Sequence, residues 1–207
     1  VIDLQNFTSA EIDTKLAALK KSEQLVLDLQ NYLKERGVAV KPVKIESQPG
    51  KPIDSAGGPV LSVSAQNMPF SSSFSEGAET LLQALQRMPL GAPHKGALTS
   101  RFGNRPNPFT GRGAEDHSGL DFRGNTGETI HVTANGKVAF AGVQGGYGHV
   151  VRVTHGHGFE TVYAHLSRID VKVGQSIQAG HVVGLLGSTG RSTGPHLHYE
   201  VMRNGVR

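Results

Sequence analysis

Apolar positions recur along this chain in two distinct rhythms, separated by a stretch with none. Between Thr8 and Gly37, the residues Ile12, Leu16, Leu19, Val26, Leu29 and Leu33 repeat at helical spacing, weakening around Ser22 and Glu23. The pattern predicts one helix of roughly 28 residues, about 42 Å long. Thr8 and Glu11 form a capping box at its start, and Gly37 is a stop after Arg36. A helix of that length is a candidate coiled-coil arm, joining a second copy or a partner protein through residues 8–36. Packing along its own domain is the equal alternative.

Residues 38–73 carry no rhythm. The segment VKPVKIESQPGKPIDSAGGPV is rich in Pro and Gly, and QNMPFSSSFS is polar and broken. This reads as a linker holding one or two short edge strands. A short helix follows in SEGAETLLQALQRM, ended by Pro89. From Gly96 onward the period changes to two. GALTSRF, GETIHVTANGKVAFAG, GHVVRVTHG, FETVYAHLS, HVVGLLG and HLHYEVM are short, β-branched or alternating, and bounded by glycine. The expected organisation is a long helix over 1–37, a Pro/Gly-rich linker with a short helix over 38–90, and a mainly β, antiparallel domain over 91–207. No internal repeat is visible.

Composition narrows the chemistry. The chain has 207 residues, 37% of them hydrophobic, enough for one core domain plus an appendage. It has no cysteine, which excludes disulfides, a thiol nucleophile and thiolate-bound zinc or iron–sulfur sites. No apolar run approaches the ~18 residues of a membrane-spanning helix. The sequence starts at Val1 with neither Met nor a leader-like segment, and a processed form is expected. Residues 1–89 carry 9 Lys and Arg against 10 Asp and Glu, and residues 90–207 carry 12 against 7. A basic second half fits an anionic polymer, or ordinary solubility charge.

The candidate chemistry lies in histidines. Side chains alternate along a strand, so HLHYE puts His196, His198 and Glu200 on one face and Leu197, Tyr199 and Val201 on the other. The two histidine Cβ atoms are then ~6.6 Å apart. Either both rings bind one metal, or one binds it while the other reaches a water beside it; the spacing leaves both open. EDHSGLDF adds His117 and Asp121, and TVYAHLS adds His165, placed by alternation on the face of Tyr163. A catalytic zinc takes three protein ligands and keeps a fourth position open. Gly187, Gly190, Gly194 and Pro195 are expected to shape a cleft. His131 should face out, and His155, His157 and His181 read as loop or strand-edge residues without a metal role.

These segments together resemble the catalytic domain of the lysostaphin/LytM-type zinc metallopeptidases, which cleave peptide cross-links of bacterial peptidoglycan. GALTSRFGNRPNPFTGR, HSGLDF, ANGKVAFAG, GGYGHVVRVTHG, YAHLS and VKVGQSIQAGHVVGLLGSTGRSTGPHLHYEV follow in the family's order, over about half of the chain. The resemblance implies a Zn²⁺ ion held by His117, Asp121 and His198, and a catalytic pair His165 and His196. It implies peptidoglycan peptide stems as substrate rather than nucleic acid, and an exported protein of the periplasm or cell envelope. The helical arm and Pro-rich linker resemble Gram-negative members more than secreted Gram-positive ones. His149 stands where the family more often has Asn. The family usually continues beyond VMRNGV, so a short C-terminal piece is expected to be missing here.

Two other readings compete with this one. A non-catalytic LytM-like regulator of cell-wall amidases would lack zinc ligands, and none is missing. A lipoyl- or biotin-type carrier shares the rhythm of VKVGQSIQAGHVVG, but Lys137 in NGKV does not fit its hairpin tip. Latency is a separate expectation, with Glu46, Asp54, Asn67 and Glu76 as candidate extra ligands from the upstream segment.

Overall fold

The structure, a computed structural model, describes residues 9–38 and 72–207. Thr8 of the capping box, the candidate ligands Glu46, Asp54 and Asn67, and the linker expected to hold edge strands lie outside the described residues. The chain divides into two compact units, Val1–Thr80 and Leu81–Arg207.

In the first unit, helix α1 spans Ser9–Glu35. It closes as expected: Gly37 takes φ 71°, its N–H bonds Lys34 O at 3.0 Å, and Val38 N–H bonds Leu33 O at 2.9 Å. That pair of reverse bonds satisfies carbonyls the helix end would otherwise leave open. Leu16, Leu19, Val26 and Leu27 are exposed. Helix α2 spans Ser72–Gln86, running across the boundary between the two units, and begins three residues earlier than the sequence pattern indicated. Glu76 is exposed on it.

The second unit is antiparallel β. Its strands are β1 Leu98–Ser100, β2 Gly103–Pro106, β3 Ala114–His117, β4 Leu120–Arg123, β5 Thr129–His131, β6 Gly136–Gln144, β7 Gly148–His155, β8 Phe159–Leu166, β9 Arg168–Ile169, β10 Ser176–Ile177, β11 Val182–Leu185 and β12 His196–Arg203. Seven form one sheet in the order β1-β4-β12-β8-β7-β6-β10. A three-stranded sheet, β5-β11-β9, and the β2–β3 hairpin complete the unit.

The apolar residues of alternate positions meet in one core. Phe122, Val138, Val151, Val153, Tyr163, Leu197 and Tyr199 of the large sheet pack with Ile130, Val183 and Leu186. Leu197 and Tyr199 face this core as the alternation predicts, and Val201 packs against it. The core also contains a polar thread. His155 Nε2 lies 2.8 Å from Thr161 Oγ1, Thr161 Oγ1 2.9 Å from the Tyr163 hydroxyl, and Thr133 Oγ1 3.2 and 2.8 Å from the hydroxyls of Tyr163 and Tyr199. Each buried hydroxyl is thereby satisfied, which avoids a desolvation cost of about 1–3 kcal/mol apiece. On the opposite face of the large sheet, Val150, Val162, Ala164 and Met202 form a smaller cluster. His198 and Glu200 project from that second face, since His198 pairs with Ala164 and Glu200 with Val162.

Candidate metal centre and cleft

β3 and β4 are joined by a two-residue turn, Ser118–Gly119, which returns the chain so that His117 and Asp121 approach each other. A Cβ at Gly119 would lie 2.4 Å from Tyr199 O and 2.9 Å from His198 Cε1, so only glycine lets β12 pass this close. β12 pairs with β4 in a register that sets His198 opposite Asp121. Three atoms then converge. His117 Nε2 is 3.0 Å from Asp121 Oδ1 and 3.1 Å from His198 Nδ1, and His198 Nδ1 is 3.0 Å from Asp121 Oδ1. All three residues are buried, and together they form a group able to hold a metal ion.

The outer atoms of these side chains bond elsewhere in the fold. His117 Nδ1–H donates to Arg101 O at 2.8 Å. His198 Nε2 lies 3.0 Å from Glu200 Oε1, and Asp121 Oδ2 accepts from Arg105 Nη1 at 2.8 Å. With each outer atom engaged, His117 Nε2, His198 Nδ1 and Asp121 Oδ1 turn lone pairs toward one another. Three such atoms in a triangle are satisfied by a cation, or by a proton on one of the rings. Tetrahedral zinc at ~2.0–2.1 Å from its ligands requires donors roughly 3.3 Å apart, close to the spacing found. Two imidazoles and a carboxylate match zinc's preference for nitrogen and oxygen donors.

Electrostatics fit the same arrangement. Burial alone would raise the Asp121 pKa, but hydrogen bonds from His198 and Arg105 and the nearby imidazoles hold it far below the usual carboxylate range. Burial favours a neutral His198, yet Asp121 and Glu200 carry its pKa above the ordinary histidine value. A proton and a cation therefore compete for His198 Nδ1.

His165 and His196 stand beside this triangle with ring centroids 4.8 Å apart. His196 Nε2 is 3.7 Å from Asp121 Oδ1. Each ring has its other nitrogen engaged: His165 Nδ1–H donates to Thr189 O at 2.8 Å, and His196 Nδ1–H to Gly194 O at 2.8 Å. Both Nε2 atoms are left as acceptors. Burial, ahead of the neighbouring histidines, pushes the His165 pKa down to about 4. The ring is then neutral near pH 7.

The alternation expected along β8 fails at His165. His165 does not share a face with Tyr163. Tyr163 points into the core, while His165 lines the cleft. The β7–β8 register changes between His149↔Leu166 and Val151↔Tyr163, so β8 has one residue more than its partner. His165 takes that bulge at φ 61°, which turns its side chain to the other face. For a non-glycine residue the left-handed conformation costs about 1–2 kcal/mol, opposed here by the bond to Thr189 O.

The cleft over these residues encloses about 730 Å³. Gly194 and Pro195 line it, with Arg191, Ser192 and Thr193. Gly187 and Gly190 do not line it. They allow close packing beneath, where a Cβ would lie 2.4 Å from Ser167 N or 2.4 Å from Gly148 N respectively. His131 is half-buried rather than facing out. His149 Nδ1–H donates to Leu166 O at 3.1 Å and steadies the end of β8.

Sequence reasoning set Glu200 on the right face but gave it no task, and it missed Arg105, Ser118, Tyr147, Arg207 and the buried His94. Glu200 is fully enclosed. Its Oε1 accepts from Ser118 Oγ at 2.6 Å and the Tyr147 hydroxyl at 2.8 Å, and its Oε2 accepts from Arg207 Nε at 3.0 Å. Arg105 also bonds Ser100 Oγ at 2.6 Å and Glu115 Oε1 at 3.0 Å. His94 accepts the Gly96 N–H at Nδ1, 3.0 Å, and meets Glu128 Oε2 at 2.9 Å, bracing the strand entry. The one available signal was Glu200 itself, two positions beyond a histidine on the same strand face.

This chain is similar to several known proteins. The profile of Peptidase family M23 matches residues 115–207. A DD-carboxypeptidase/endopeptidase of Neisseria meningitidis serogroup B is 44% identical over 108 residues, 52% of this chain and 25% of that protein. The peptidoglycan DD-endopeptidase ShyA of Vibrio cholerae is 38% identical over 133 residues, 64% of this chain and 30% of that protein. The chain thus spans about a quarter to a third of the length of these curated relatives. The catalytic domain of the antimicrobial peptidase lysostaphin from Staphylococcus simulans superposes with a TM-score of 0.50 at 34% identity, covering 54% of this chain and 84% of that domain. The matched region holds the converging triangle, the flanking histidine pair and the antiparallel sheet that positions them, and the chain belongs to peptidase family M23.

Proposed function

We propose that this chain is a zinc-dependent endopeptidase that hydrolyses peptide cross-links of bacterial peptidoglycan. The observation that carries the reading is the convergence of His117 Nε2, Asp121 Oδ1 and His198 Nδ1, their outer atoms all engaged, at the floor of an open cleft. A Zn²⁺ ion held there supplies a Lewis acid that polarises a scissile carbonyl and acidifies a water.

The protein's own groups do the rest. His165 and His196, each held in one tautomer by a backbone carbonyl, present Nε2 to the cleft. One takes a proton from the attacking water, and the pair returns a proton to the departing amine. Two imidazoles thus do the work that a glutamate does in peptidases with an H-E-x-x-H helix. An extended peptide fits a cleft open at its top, and such a substrate places the protein at the cell envelope. Among the described residues no helix is long and apolar enough to cross a membrane.

The test is digestion of isolated cell walls of both cross-link chemistries, direct and glycine-bridged, with products read by mass spectrometry. Cleavage of stem cross-links that stops with chelator and returns with zinc is expected. Equal cleavage by metal-free protein would overturn the reading. The alternative of a non-catalytic regulator of wall amidases requires a groove stripped of its donors, and the donors are all here.

A further inference from the structure

We propose that Arg123 is a specificity-determining residue whose guanidinium binds a free carboxylate of the substrate beside the scissile amide. The inference rests on the peptidase reading above and names which substrates the cleft prefers.

Three arginines line the cleft: Arg105, Arg123 and Arg191. Two are already neutralised. Arg105 is tied to Asp121 Oδ2 at 2.8 Å and Glu115 Oε1 at 3.0 Å. Arg191 reaches Glu115 Oε2 at 3.3 Å and lies over the Phe109 ring at 4.3 Å. Arg123 differs. Among the described residues its side chain has no hydrogen bond, ion pair or ring contact, and it is exposed. The acidic lining groups do not supply a partner. Asp121 and Glu115 belong to Arg105 and Arg191, and Asp116 meets Asn104 Nδ2 at 3.4 Å.

Its position makes the open charge informative. Arg123 is two residues beyond Asp121 on β4, hence on the same face and ~6.6 Å along the strand. In the β4–β12 register it is the Cα partner of His196. Directly opposed residues in an antiparallel pair are about 4.5–5.5 Å apart. The guanidinium is therefore within one side chain's length of the place where the amide is cut. Its planar fork matches the two oxygens of a carboxylate. A cross-link made through an amine whose carbon also bears a carboxyl group leaves that carboxylate free next to the bond. A bridge of neutral glycines offers none there. The cleft is thus suited to the first class.

The experiment uses two synthetic cross-linked peptides that differ only in a carboxylate or a carboxamide adjacent to the scissile bond. They are assayed with the zinc-loaded protein for kcat and KM, and for equilibrium binding by calorimetry. Wild type should favour the acid by roughly 10–100-fold in kcat/KM, mostly through KM, as expected for a hydrogen bond to a charged group. Arg123→Gln should erase the preference, and Arg123→Lys should keep part of it. Equal handling of the two peptides by wild type, or an undiminished preference in Arg123→Gln, would overturn the inference. If neither peptide is cleaved but the acid binds more tightly in an Arg123-dependent way, the peptidase reading falls and the carboxylate site stands. If neither binds preferentially, the site falls.

Discussion

Glu200 Oε1 sits 3.0 Å from His198 Nε2, and His198 turns its opposite nitrogen to Asp121 and His117. In the proposed zinc site the carboxylate would lie behind a ligand and reach an ion only through the ring. Such a partner fixes the tautomer and orientation of the ligand and raises its basicity. Ser118, Tyr147 and Arg207 hold Glu200 in place, so three separate parts of the chain converge on one histidine.

Glu200→Gln keeps the shape and removes the charge. The carboxamide oxygen can still accept from His198, but the amide group must then face Arg207. Zinc affinity should fall about 10–100-fold. Competition with a chromophoric chelator measures it. Unchanged affinity would show that Glu200 only fills space, and a parallel thermal melt separates weakened metal binding from a weakened fold.

The histidine pair of β12 should split by role. His198→Ala removes a ligand and should lose stoichiometric zinc along with turnover. His196→Ala should keep zinc and lose turnover by about 10²–10⁴-fold, the usual contribution of a positioned acid or base. Metal content by atomic absorption, taken with wall-hydrolysis rates, checks both. Zinc retained in His198→Ala would contradict the ligand assignment.

At position 165 the backbone makes its own demand. Asn tolerates the left-handed region better than most residues, whereas a β-branched side chain does not. His165→Asn should therefore fold nearly as well as wild type, while His165→Val should be less stable by about 1–2 kcal/mol. Both should lose activity. Urea unfolding of the two variants measures the difference, and equal midpoints would mean that the bulge relaxes at no cost.

That bulge also marks where sequence reasoning ended. Strict alternation along FETVYAHLS placed His165 with Tyr163, because a one-residue insertion relative to β7 leaves no trace in the strand's own pattern. On β12 the same rule worked, since His198 and Glu200 on one face and Leu197 and Tyr199 on the other have no irregularity between them. The β2–β3 hairpin was missed for a related reason. Apart from the buried His117, its residues alternate between half-buried and exposed, without the apolar face that announces a strand. Yet it carries Arg105, whose role depends on a salt bridge to Asp121, sixteen positions away, and no local periodicity encodes that. His117 and Asp121 were legible because their spacing is local. Glu200 was visible by face but not by partner, because Ser118, Tyr147 and Arg207 come from distant segments.

His155 supplies a prediction on pH and stability, independent of the metal. Burial, ahead of the opposing bond to Asn135 O and the charge of Glu160, lowers its pKa below the ordinary value of 6.5. The unfolded chain therefore takes up a proton near pH 6.5 that the folded chain refuses. The stability associated with His155 is fully present above about pH 6.5 and is lost as the pH falls toward the lowered folded value. Each pKa unit of that gap is worth about 1.4 kcal/mol. His155→Asn removes the titrating ring from the end of the polar thread. It should lower stability at pH 7.5, because Thr161 loses its partner at Nε2, but it should flatten the decline between pH 7.5 and 5.5. Urea unfolding at several pH values compares the two slopes. His131, also lowered by burial, is present in both proteins and cancels in the comparison. Parallel curves for wild type and variant would mean that His155 accepts its proton in the fold as readily as in the unfolded chain.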